Sequence, residues 1–191
     1  MPIGRGENVR SEWRVVTVKA SGGDLRVLAE GAEPAWSPRG DLIAYTTDVG
    51  GTSYDDWNRL VVMRTDGTRR RFLVRNRKAW RTGLDFSPNG RKLLYLEHDF
   101  ERNRSRLRVL DVRTGRRRTV IAQRGEGAVW SPSGRRIAYL HHAPTPSGER
   151  VPPTEVRLMR PNGTGDRLLF ALPFDERRGR WADVLSWRRR R

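Results

Sequence analysis

The chain contains no cysteine, which excludes disulfides and thiolate metal sites and fits a reducing or an oxidising compartment equally well. Histidine is nearly as scarce, with His98, His141 and His142 the only copies. His98 and His142 each lie three residues beyond a recurring tyrosine, Tyr95 and Tyr139. That spacing places them at equivalent positions of neighbouring units, too far apart to share an ion, whereas a metal site needs three or four converging ligands. No metal and no cofactor is expected. Long apolar runs are absent too. Hydrophobic residues make up 36% of the chain, mean hydropathy is −0.77, and no stretch approaches the roughly 18 apolar residues of a membrane-crossing helix. Met1 to Arg10 carries Gly, Glu and Asn where a secretory signal needs an apolar segment. As written the chain reads as cytoplasmic; with further sequence upstream it would read as periplasmic or extracytoplasmic. Signatures of hydrolysis and phosphate binding are missing as well: there is no Gly-x-Ser-x-Gly, no Gly-rich loop ending in Gly-Lys-Ser or Gly-Lys-Thr, and no His-Glu-x-x-His. The expectation is a chain that binds and does not catalyse.

Lysine is rare where positive charge is not. Of 39 basic residues only Lys19, Lys78 and Lys92 are lysines, and against 22 acids they leave a formal charge of +17. Such an excess reads as an electrostatic footprint for nucleic acid or another polyanion. It reads equally as coding bias, because Arg, Gly, Pro and Ala all use codons rich in G and C. Where the arginines fall decides between the two.

What the chain does contain is repetition. Trp36-Ser37-Pro38-Arg39-Gly40 to Tyr45, Phe86-Ser87-Pro88-Asn89-Gly90 to Tyr95, and Trp130-Ser131-Pro132-Ser133-Gly134 to Tyr139 share a nine-residue offset from aromatic to tyrosine, and start 50 and then 44 residues apart. Each is the end of one apolar strand, a Pro-x-Gly turn that no helix would keep, and a second apolar strand. Between the copies lies a second element, apolar residues alternating with arginine around Asp66-Gly67, Thr114-Gly115 and Asn162-Gly163, whose glycines are 48 residues apart each time. That pattern is a hairpin. A unit is therefore four strands with a period of about 40–50 residues, the make-up of a propeller blade.

The resulting expectation is an all-β propeller of four-stranded antiparallel blades, partial or four-bladed. It has an N-terminal arm (1–12), an outer hairpin (13–28), three complete blades (about 33–74, 83–121 and 127–170), a final inner strand (183–187) and a basic tail (188–191). Trp181 to Trp187 copies Trp80 to Phe86 with the same six-residue aromatic spacing. Trp36, Phe86, Trp130 and the three tyrosines recur with the unit and are assigned to the core, and Trp80 and Trp181 to packing between blades. Outer strands at one end and an inner strand at the other leave their shared blade one strand short. Unpaired edges recruit partners, so self-association is expected.

Ala35-Trp36-Ser37-Pro38-x-Gly40-x-x-Ile43-Ala44-Tyr45, followed by Val62-Met63-x-x-Asp66-Gly67-Thr68, resembles the TolB-type, WD-repeat-like propeller repeat, and the similarity runs from about Trp13 to Trp187. The chain departs from the family's pattern at Arg39, Asn89 and Ser133, where Asp usually precedes the turn glycine. The resemblance implies a propeller that presents loops to other molecules, here a protein partner of unknown identity. Similar repeats form the propellers of prolyl-oligopeptidase-like peptidases, so a detached propeller of such a protein is a further reading.

Two groups of residues are candidates for recognition. Variable loops on a rigid repeat are the usual binding sites, which singles out Tyr54, Asp55, Asp56, Trp57, His98 and Asp99 in the loops 48–58 and 97–105. In an up-and-down blade the first and third turns lie on one face. There arginines cluster at Arg69, Arg70, Arg71, Arg116, Arg117, Arg118, Arg135 and Arg136, with Lys92 and few acids among them, and acidic residues such as Glu97 and Asp99 are expected on the opposite face. Coding bias alone would scatter arginine over both faces.

Overall fold

A computed structural model describes residues 13–47, 59–75, 79–99, 101–102, 104–121, 125–141, 155–171 and 187. The described residues form strands only. An N-terminal hairpin pairs β1 (Arg14–Thr17) with β2 (Arg26–Glu30), and three sheets of four strands follow. Blade 1 holds β3 (Ala32–Trp36), β4 (Leu42–Thr47), β5 (Arg59–Arg64) and β6 (Arg71–Val74). Blade 2 holds β7 (Trp80–Phe86), β8 (Lys92–Asp99), β9 (Arg104–Asp111) and β10 (Arg117–Ile121). Blade 3 holds β11 (Gly125–Trp130), β12 (Ile137–His141), β13 (Glu155–Met159) and β14 (Arg167–Ala171). Every sheet is antiparallel with neighbours in chain order, so each unit is a meander from an inner to an outer strand. The fold is a β-propeller arc.

The recurring serine has a structural cause. In each first turn its backbone N–H donates across the strand ends, Ser37 to Leu42, Ser87 to Lys92 and Ser131 to Arg136. Its hydroxyl accepts the N–H coming back, from the same Leu42, Lys92 and Arg136, at 2.9–3.0 Å. Proline fixes the first turn residue, and the glycines (Gly40, Gly90 and Gly134) sit at φ of 72°, 69° and 67°, where a side chain is strained. The three serines are buried. Three turns of one kind follow from one Ser-Pro-x-Gly pattern.

The cores lie between sheets. Leu28 and Ala29 of the hairpin pack with Ile43, Tyr45, Val61 and Met63 of blade 1. Leu73 and Val74 of blade 1 pack with Leu93, Tyr95, Leu110 and Val112 of blade 2, and Val120 and Ile121 of blade 2 with Ile137, Tyr139 and Met159 of blade 3. Each apolar side chain removed from water this way contributes about 1.5–3 kcal/mol. The arc is held together blade by blade.

Phe86, Trp130 and the three tyrosines are buried, but Trp36 is 53% exposed. The reason is positional. Trp130 packs against blade 2 and bonds to Asp85 on its inner strand, whereas among the described residues only the two-stranded hairpin stands ahead of Trp36, with no inner strand beside it. Trp80 is not packed between blades either: it pairs with His98 and is 39% exposed. The arm 1–12, Trp181, residues 183–186 of the final inner strand and the tail 188–191 lie outside the described residues.

Candidate functional site

Packing of blade 3 on blade 2 brings their turns together. Gly134 in the first turn of blade 3 stands on Pro88 of blade 2, with 3.4 Å between the position of a Cβ and the proline ring. Arg118, at the start of β10, donates from Nη2 to the Pro161 carbonyl at 3.1 Å. Between these two contacts lies an open cleft of about 660 Å³. Its cations are Lys92 and Arg118 from blade 2 and Arg135, Arg136 and Arg160 from blade 3, with Ser133 and Asn162 as polar neighbours and no carboxylate in the lining. A second cavity of about 310 Å³ adjoins it, sharing Lys92, Ser133 and Gly134 and reaching Trp130.

Acids on this face are engaged in their own turns. Asp66 accepts from the Thr68 hydroxyl and N–H at 2.6 and 2.8 Å, bonds that hold its carboxyl below the usual range. Asp111 accepts likewise from Thr114, with the same effect, and Asp41 accepts from the Ser37 hydroxyl at 2.7 Å. Asp166 takes the Tyr139 hydroxyl and Arg157. Burial, and then this bond, push the Tyr139 hydroxyl up. Among the described residues no ion pair ties Lys92, Arg135, Arg136 or Arg160 to a carboxylate.

The sequence-predicted arginines divide into four groups. Arg118, Arg135 and Arg136 line the cleft. Arg70 and Arg71 sit on blade 1 and tie blades together, Arg70 donating to the Leu28 carbonyl and Arg71 to that of Val112. Arg69, at φ 51°, and Arg116 are exposed at the turns of blades 1 and 2. Arg117 points elsewhere, to within 3.8 Å of Glu97. Lys92 and Arg160 complete the cleft. Arg160 was absent from the candidates because only blade packing carries it across from blade 3; its place just before Pro161-Asn162-Gly163, beside the other turn arginines, was the available signal.

Glu97 is not a surface acid. It is buried on the face of blade 2 that packs on blade 1, where Arg81 Nη2 donates to it at 2.9 Å and Arg108 at 2.7 Å. Burial alone would push its carboxyl up, but Arg108 and Arg81 hold it below the usual range. One charge from each of the four strands of blade 2 meets there.

Of the loop candidates, Tyr54, Asp55, Asp56 and Trp57 lie outside the described residues. His98 and Asp99 belong to β8 and not to a loop, because the hairpin runs on through Asp99 paired with Arg104. His98 Nδ1 meets the Ser105 hydroxyl at 2.9 Å. Asp99 accepts from the Arg102 guanidinium and N–H at 3.0 and 3.1 Å, and this pairing lowers its pKa. Both are members of a hairpin end. Among the described residues no three His, Asp or Glu side chains converge as metal ligands, and no helix is long and apolar enough to cross a membrane.

Comparison with known proteins places the arc among propellers. The TolB-type protein of Agrobacterium tumefaciens superposes with a TM-score of 0.61 at 19% identity, over 83% of this chain and 57% of that one. Oligogalacturonate lyase from Vibrio parahaemolyticus gives 0.61 at 14% identity, over 83% and 43%. The acylaminoacyl peptidase of Pyrococcus horikoshii gives 0.52 at 14%, over 74% and 25%. At these identities the likeness is one of fold. The chain spans about half or less of the length of these structures. No protein-family model and no curated protein matches it.

Proposed function

We propose that this chain is a non-enzymatic propeller scaffold with TolB-type repeats, and that its turn face binds polyanions by charge through the cleft between blades 2 and 3. The observation that carries this reading is the meeting of Lys92, Arg118, Arg135, Arg136 and Arg160 from two blades around an open cleft without a carboxylate. Five cations so placed suit closely spaced anionic groups along a flexible backbone, as in a nucleic acid or an acidic polysaccharide. No feature of the cleft reads bases, so binding is expected to be indifferent to sequence.

Binding of a labelled single-stranded oligonucleotide and of heparin, each titrated across a range of salt, tests the reading. Each lost phosphate contact lowers the log–log slope by about 0.7–0.9. Changing Lys92, Arg135, Arg136 and Arg160 together to Ser is expected to reduce the slope by about 3. Changing Arg69 and Arg116, away from the cleft, leaves it nearly as before. Equal losses from the two sets would mean that only net charge matters, and the cleft would carry nothing.

A second reading has one observation in its favour. The chain covers only 25–57% of the three propeller-containing structures compared, which supports a propeller that belongs to a larger assembly. Further repeats or a catalytic domain encoded on either side of the gene would favour it.

A further inference from the structure

Three interfaces in the arc are built by one rule. The hairpin turn of each following blade places its glycine on the outer strand of the blade before it: Gly67 on Leu28, Gly115 on Leu73 and Gly163 on Val120. By strand register these three residues are equivalent, each lying two positions beyond an arginine of equivalent register at the start of its outer strand, Arg26, Arg71 or Arg118. With the residue after it, each is covered by the next blade, as Leu28–Ala29, Leu73–Val74 and Val120–Ile121. At two interfaces this arginine also donates to the first residue of the next hairpin turn, Arg71 to Val112 and Arg118 to Pro161. At the first, Asp24 holds Arg26 and Arg70 bonds back to Leu28 instead.

Blade 3 repeats the donor half of this rule, and among the described residues no hairpin stands upon it. Register makes Arg167 the equivalent of Arg71, and Leu169–Phe170 the equivalent of Leu73–Val74. Leu169 and Phe170 are 46% and 49% exposed. The N-terminal hairpin repeats the acceptor half. Its turn bonds, Lys19 N–H to Gly23 and Gly22 N–H to Lys19, match those of Arg64 and Gly67 in blade 1. Val16 and Val18 thereby correspond to Val61 and Met63, which cover Leu28–Ala29, yet they are 43% and 59% exposed. Gly22 corresponds to Gly67 and has nothing within 4 Å of where a side chain would begin.

We propose that these two faces join between copies, the N-terminal hairpin of one chain seating on the outer strand of blade 3 of another. In that contact Val16 and Val18 cover Leu169 and Phe170, Gly22 stands on Leu169, and Arg167 donates to the Ala20 carbonyl. The occupant is a second copy because the matching hairpin is this chain's own, and within one copy both faces stay exposed. The contact continues three interfaces already present, and it differs from pairing at bare strand edges, which the sequence alone suggested. A head-to-tail contact either closes or grows. Two copies joined at both ends make a ring of about eight blades, within the roughly 4–8 that propellers use.

Sedimentation of the full chain in high salt, where polyanion binding is weak, tests the contact independently of the cleft. The native chain is expected to show masses above 22.1 kDa that fall on dilution. Leu169→Glu and Val18→Glu alter exposed residues on opposite sides of the contact, and each alone is expected to weaken association by about tenfold or more, to a monomer. Mixed in equal amounts they retain one intact pair of faces and form a one-to-one dimer. Phe170→Lys serves in place of Leu169→Glu should the latter melt early. A native chain that stays monomeric at every concentration overturns the proposal. So does Val18→Glu that still associates alone, or a mixture that does not pair.

Discussion

Trp130 is joined to Asp85 twice: its backbone N–H donates to the carboxylate at 2.8 Å and its indole Nε1–H to the backbone carbonyl at 3.2 Å. The pair fastens the inner strand of blade 3 to that of blade 2 and helps keep Trp130 buried, whereas Phe86 is buried against blade 1. Burial raises the Asp85 pKa, and the Trp130 N–H offsets only part of that.

For a carboxyl raised on folding, stability is greatest below its unfolded value, about 3.9, and is lost as pH rises through the folded value. Asp85→Asn keeps an acceptor for the Trp130 N–H and removes the charge. It is expected to melt at or above the native temperature near neutral pH, with a flatter profile above about pH 4. Asp85→Ala leaves the Trp130 N–H without its acceptor and is expected to cost about 1–3 kcal/mol. Thermal melts of the three proteins across pH check both, and an Asn variant as unstable as the Ala variant would refute the assignment.

Glu97 has the opposite sign. Its carboxyl is lowered by Arg108 and Arg81 against the effect of burial, so its contribution is present above the unfolded value of about 4.3 and lost as pH falls through the folded value. Glu97→Gln removes the carboxylate that the buried Arg81 and the half-buried Arg108 share. The expected loss is about 3–5 kcal/mol at neutral pH, narrowing in acid as the native Glu97 is itself protonated. Urea titrations near pH 7 and below about pH 4 measure the difference; a gap that does not shrink would mean the charge is not the cause.

The repeat, the strand meander and the serine turns were legible in the sequence because each rests on residues close together in the chain. Trp36, Phe86 and Trp130 look alike as sequence, and only the position of blade 1 behind an outer hairpin leaves Trp36 exposed. The Glu97 cluster draws its arginines from the three other strands of its blade, so no local pattern announces it. The cleft was largely legible: four of its five cations, Lys92 included, were placed at the turns, while Arg160 joined them only through the packing of blade 3 on blade 2.

Gly163 and Gly40 share left-handed backbones, at φ 83° and 72°, but differ in surroundings. A Cβ on Gly163 would lie 2.8 Å from the Val120 carbonyl oxygen, whereas nothing lies within 4 Å of one on Gly40. Gly40→Ala therefore meets backbone strain alone, about 1 kcal/mol. Gly163→Ala must also move two blades apart, for a further cost of about 1–3 kcal/mol. Chemical denaturation of the two variants separates strain from packing. Equal losses would show that blade 3 does not rest on Val120.

Turn arginines that tie blades together should separate from those that face the cleft. The exposure of Arg71 and Arg118 suggests that both could be replaced without harm. Their donated bonds to Val112 and Pro161 argue otherwise, because each leaves a carbonyl of the next blade without its partner, at a cost of about 0.5–1.5 kcal/mol. Arg71→Ser is expected to lower the melting temperature by a few degrees and leave the salt dependence of polyanion binding unchanged, since Arg71 does not line the cleft. Arg118→Ser is expected to do both, lowering the melting temperature and reducing the log–log slope by about 0.7–0.9. Arg135→Ser, exposed in the cleft and without a bridging bond among the described residues, should change the slope alone. If Arg71→Ser weakens binding as much as Arg135→Ser does, the charge acts from the whole turn face and not from the cleft.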